Sequence, residues 1–90
     1  MTDQQYNFEE KMEELFKQTI NNLPAEDVEE INDYITHGEC GVAYDHLVSQ
    51  LFEYDISISS ETYELIAEFG KFMGYEESEW GHLKSLIKAP

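Results

Sequence analysis

The sequence predicts an all-α fold, a single compact bundle of about five antiparallel helices forming one domain over residues 1–90. Apolar residues recur at spacings of three and four along most of the chain, and proline or glycine punctuates the intervals between those stretches. The one stretch with strand-like alternation is too short and too isolated to make a sheet. At 41% hydrophobic and 13% aromatic, the chain is apolar enough to fold despite its charge.

Phe8, Met12, Leu15, Phe16, Thr19, Ile20 and Leu23 define one face of a first helix over residues 5–22. Pro24 stops it and suits the first turn of a second helix, because proline disfavours helical geometry in the residue before it and presets its own φ. Val28, Ile31, Tyr34 and Ile35 form the buried stripe of that second helix, and Gly38 can cap its C-terminus. A third helix opens at Gly41 and carries Ala43, Tyr44, Leu47, Val48, Leu51 and Phe52 inward as far as Tyr54. Residues 55–59 break the pattern and read as a loop whose Ile56 and Ile58 dip into the core. Ser59 or Ser60 then caps a fourth helix with Tyr63, Ile66, Ala67, Phe69, Gly70 and Met73, ending at Gly74. Ser78 caps a last helix bearing Trp80, Leu83, Leu86 and Ile87. Phe16, Ile20, Ile31, Leu47, Leu51, Ile66, Phe69 and Leu83 are expected to share one core.

Twenty acidic residues stand against five lysines and no arginine, a formal net charge of −15. Phosphate binding needs clustered cations, so nucleic acid and anionic membranes are excluded as partners and a basic protein is expected. The single cysteine, Cys40, allows no intrachain disulfide, residues 1–6 are polar, and no run approaches the roughly 20 apolar residues of a membrane span, which together predict a cytoplasmic protein.

Little in the sequence carries chemistry. Cys40 with His37 or His46 is the one nucleophile and base set, and no cation stands near the thiol to lower its pKa, so the chain is read as not an enzyme. His37, Glu39, Cys40 and His46 lack the paired spacings of a zinc site, Asp33, Asp45 and Asp55 do not fit a calcium loop, and no phosphate-binding glycine loop is present. No metal or cofactor is expected.

The second helix is unusual in its charge. Glu26, Asp27, Glu29, Glu30 and Asp33 include two like-charge pairs at spacing four, each costing a few tenths of a kcal/mol, and that helix has no lysine to offset them. The helix dipole accounts for Glu26 and Asp27 near the N-terminus but not for Glu30 and Asp33. Tyr34, Tyr44 and Tyr54 sit beside acidic residues, Asp33, Asp45, and Glu53 with Asp55, and tyrosine anchors interfaces well. These eleven residues are the candidate partner-binding set, with at least one of the tyrosines expected in the core.

The runs His37-Gly38-Glu39-Cys40-Gly41-Val42-Ala43-Tyr44-Asp45-His46-Leu47, Leu51-Phe52-Glu53-Tyr54-Asp55, Ile58-Ser59 and Tyr63-Glu64-Leu65-Ile66 resemble the MafI-type immunity proteins and related immunity proteins of contact-dependent growth inhibition systems. The resemblance spans residues 31–87. It implies neutralisation of a cognate toxin delivered into the cytosol, often a ribonuclease and sometimes of EndoU type, and a one-to-one complex with that toxin is expected. An acidic surface suits such a partner, because nucleases carry basic clefts for phosphate. An acidic adaptor or regulator of a basic host protein is the alternative that the same composition permits.

Overall fold

The computed structural model describes residues 6–88. In chain order these form α1 (Phe8–Thr19), a 3-10 turn (Ile20–Asn22), α2 (Ala25–Thr36), α3 (Cys40–Glu53), α4 (Ser60–Met73) and two 3-10 segments, Glu77–Glu79 and Gly81–Leu86. The fold is an all-α bundle, as the periodicity predicts. α3 packs against α1, α2 and the closing 3-10 segment, while α1 also lies along α4. No described helix is long and apolar enough to cross a membrane.

Local chemistry sets the helix ends. The Asn7 side chain accepts from the Glu10 N–H at 3.0 Å at the start of α1, and Ser59 accepts from the Thr62 N–H at 3.0 Å at the start of α4. Pro24 is the residue before α2 rather than its first member, and its carbonyl accepts the Asp27 and Val28 N–H groups, both at 3.0 Å. Three helices close in the same way, with one residue in the left-handed region and two backbone bonds reaching back. Gly38 (φ 74°) and Gly74 (φ 85°) fill that position after α2 and α4, and Asp55 (φ 55°) fills it after α3. Asp55 N–H donates to the Phe52 carbonyl at 3.1 Å and Ile56 N–H to the Leu51 carbonyl at 3.0 Å. Gly74 places no side chain where a β-carbon would be strained, whereas Asp55 tolerates that conformation as one of the few non-glycine types that do.

One core draws on all four helices and the closing segment. Ile31, Leu47, Leu51, Ile66, Phe69 and Leu83 lie in it as expected. Phe16 and Ile20 are corrections: both are only half-buried. Of the expected α1 face, Met12, Leu15 and Thr19 are the residues turned fully inward, and the Thr19 hydroxyl becomes buriable by donating to the Leu15 and Phe16 carbonyls at 3.1 and 3.3 Å. Ile20 lies in the 3-10 turn after α1, out of register with the α-helical stripe.

The closing segment is also not the α-helix expected from Ser78. It winds as 3-10, and the reason is visible in its apolar spacing. Trp80, Leu83 and Leu86 are buried at intervals of three, the period that aligns side chains on a 3-10 helix. Trp80 packs on Gly70, where an added β-carbon would stand 2.5 Å from the indole and 2.8 Å from the Tyr44 hydroxyl. Beyond it, a single parallel bridge joins Ile87 to Ile58, with Ile58 N–H donating to the Leu86 carbonyl at 2.9 Å and Lys88 N–H to the Ile58 carbonyl at 2.8 Å. Ile58 is buried and Ile56 half-buried, so the loop isoleucines do enter the core.

Candidate functional site

The polar side chains that converge most closely lie where α2 meets α3. Asp27, Glu30 and Tyr34 follow one another at spacings of three and four on α2, which sets them in a row. His46, Gln50 and Tyr54 do the same at spacings of four along α3 and its C-terminal cap. The two rows face each other. His46 Nε2 lies 2.9 Å from Asp27 Oδ1, and Gln50 Nε2 donates to the same oxygen at 3.1 Å. Glu30 Oε1 is 3.8 Å from His46 Nε2, while its other oxygen, Oε2, accepts from the Tyr34 hydroxyl at 3.1 Å. The Tyr34 and His46 rings are 6.1 Å apart.

Electrostatics follow from these distances. The hydrogen bond to Glu30, and then its charge, raise the pKa of the Tyr34 phenol, and the carboxylate of Asp27 raises that of Tyr54. Both phenols therefore stay protonated at neutral pH and present donors among carboxylates. Glu26 and Asp33 are exposed on α2 at helical spacing from Glu30, which extends the negative row to both sides of the cluster. α2 and α3 contain no lysine or arginine.

Two of the expected partner-binding residues are not available on the surface. Asp27 is 7% exposed, held down by His46 and Gln50 of α3. Tyr44 is 1% exposed, stacked on Phe69 at 4.7 Å, with its hydroxyl donating to the Ile66 carbonyl at 2.8 Å, so it belongs to the core. The remaining residues divide by face. Glu26, Glu30, Asp33, Tyr34 and Tyr54 belong to the α2–α3 side, and Tyr54 remains 48% exposed. Glu53 and Asp55 are exposed at the same end of α3. Glu29 lies instead beside Phe16, Ile20 and Val28 on the α1–α2 side. Asp45 faces the closing segment, where burial and then Glu79 raise its pKa.

The Cys40 and histidine set does not assemble. Cys40 is buried at the start of α3, and burial, with Glu9 and Glu13 behind it, pushes its thiol up. His37 Nδ1 sits 2.8 Å from the Asp33 carbonyl of its own helix, and His46 is engaged by Asp27. The His46, Asp27 and Gln50 contact is what sequence reasoning missed. Its signal was a polar stripe, His46, Gln50 and Tyr54, on the flank of an otherwise apolar helix.

No family model, curated protein or solved structure matches this chain.

Proposed function

We propose that this protein is an immunity-type inhibitor that binds a basic toxin domain, a nuclease, one-to-one in the cytosol and covers its phosphate-binding surface. The observation that carries this reading is the row of exposed carboxylates Glu26, Glu30 and Asp33 alongside the half-buried Tyr34 and exposed Tyr54, on two helices without a single lysine. A row of like charges weakens the free helix, and a cationic partner removes that penalty while the charge accelerates its encounter. Tyrosines at the edge of such a row supply apolar area and a hydroxyl at the point of contact. The resemblance of residues 31–87 to immunity proteins points the same way.

The test is capture followed by inhibition. A tagged full-length chain expressed in the cells that produce it should co-purify with a basic nuclease domain and stop that domain from cleaving RNA at equimolar ratio. Recovery of a basic host protein without nuclease activity would replace the inhibitor reading with an adaptor.

A further inference from the structure

We propose that Asp27, Glu30 and His46 form a binding site for one zinc ion, with a fourth position open to water. One ligand atom from each of the three side chains lies within 4.8 Å of the others, and the imidazole comes from a different helix than the two carboxylates. A tetrahedral zinc ion, with bonds of about 2.1 Å, separates neighbouring ligand atoms by roughly 3.4 Å. The distances from His46 Nε2, 2.9 Å to Asp27 Oδ1 and 3.8 Å to Glu30 Oε1, bracket that separation.

A second observation, independent of that geometry, points to a cation. Asp27 is a buried carboxylate whose partners are the His46 imidazole, the Gln50 amide and the nearby Tyr54 phenol, and among the described residues no lysine pairs with it. Burying a carboxylate is costly without a compensating charge, and Glu30 beside it adds a second negative charge rather than a positive one. A divalent ion would bring a fixed positive charge to these two carboxylates, at a point where an imidazole nitrogen can also ligate it. The outer contacts suit the role: Tyr34 holds Glu30 Oε2 and leaves Oε1 toward His46, and Gln50 braces the Asp27 carboxylate. One nitrogen and two oxygen donors favour zinc over calcium or magnesium, which take oxygen ligands in larger number. The site shares Glu30 and Tyr34 with the proposed partner-binding row, and zinc binding is measured on the free chain, so its failure and that of the inhibitor reading are distinguishable.

Titration calorimetry of the full chain with zinc chloride tests it. The expected result is saturable binding of one ion per chain, weakened by about 10-fold or more in Glu30→Gln, an isosteric change at an exposed position, and abolished in His46→Ala. Cobalt in place of zinc should give the visible absorption of a low-symmetry four-coordinate ion, lost on adding zinc. Cys40→Ala should bind as tightly as the parent. Absence of saturable binding, binding unchanged in Glu30→Gln, or binding lost in Cys40→Ala would each overturn the assignment, the last two by moving the ion elsewhere.

Discussion

His46 Nε2 lies 2.9 Å from Oδ1 of Asp27, and through this contact α3 reaches the first turn of α2. The carboxylate is buried, with Gln50 as a second side-chain donor and the Tyr54 phenol close by. His46→Ala should therefore leave it short of a partner and lower stability by about 1–3 kcal/mol. The cost should shrink when Asp27→Ala is made as well, because the stranded charge is gone. Urea unfolding of the two single variants and the double variant measures this, and strict additivity would mean that the pair is not coupled.

Gly70 is the point where α4 admits the closing segment. A β-carbon there meets the indole of Trp80 and the hydroxyl of Tyr44, both buried and neither free to swing away. Gly70→Ala should cost about 1–3 kcal/mol through overpacking, in spite of alanine's better helix propensity. Trp80 fluorescence should shift toward that of exposed indole. A variant as stable as the parent would show that the closing segment slides at little cost.

Much of this architecture was legible in advance, and the failures share a cause. Pro24, Gly38, Ser59 and Gly74 mark helix ends because each acts on its own backbone within a few residues. On α1 the periodicity marks a face that includes Met12, Leu15 and Thr19 but is too wide, because Phe16 and Ile20 satisfy the same spacing and only the neighbours of α1 decide which of these residues are fully buried. The closing segment shows its three-residue period openly in Trp80, Leu83 and Leu86, a spacing equally allowed on an α-helix. Asp27 could not be told from its acidic neighbours without α3. Its burial depends on His46 and Gln50, which are remote in sequence.

Alkaline pH should unfold this protein through its tyrosines. Burial and nearby carboxylates raise the pKa of the Tyr44 phenol in the fold, with Asp45 the largest of the charges acting on it. An acid whose pKa is raised on folding contributes stability that is fully present below its unfolded pKa, about 10 for tyrosine, and lost as pH rises toward the folded value. Stability should thus begin to fall near pH 10 and keep falling. Tyr44→Phe should flatten that dependence while losing the bond to the Ile66 carbonyl, and an unchanged slope in the variant would assign the effect to other groups.

Cys40 should react slowly in the folded protein. Its thiol is buried and its ionisation is opposed by that burial and by Glu9 and Glu13, so little thiolate forms at neutral pH. Ellman's reagent should label it slowly until urea unfolds the chain, when labelling becomes fast. Rapid labelling of the native state would reveal local opening at the start of α3.

Asp55 adopts φ 55° at the cap of α3, a position that glycine fills after α2 and α4. Asp55→Gly should raise stability by a few tenths of a kcal/mol, the relief of strain being partly offset by the greater freedom of glycine in the unfolded chain. Asp55→Val should lower it by about 1–2 kcal/mol, since a β-branched residue fits the left-handed region poorly. Thermal unfolding of the two variants separates backbone strain from the loss of a surface charge, which both share. Equal melting temperatures would assign the whole effect to charge.

The proposed interface makes its sharpest prediction at Asp33, where stability and binding should move in opposite directions. Asp33 lies near the C-terminus of α2, where the helix dipole favours a cation, and it stands four residues from Glu29 and three from Glu30. Asp33→Lys turns two repulsive pairs into attractive ones and should stabilise the free protein by about 0.3–1 kcal/mol. The same change removes negative charge from the row that faces a basic partner, so stopped-flow association should slow and lose part of its salt dependence. Glu29→Lys, on the α1–α2 side, should affect association less. Tyr54→Ala should instead speed dissociation, with a cost on the order of 2 kcal/mol if its ring is covered in the complex. If Asp33→Lys gains stability and leaves the association rate and its salt slope unchanged, the partner does not meet this side of α2, and the carboxylates there are a solvated face.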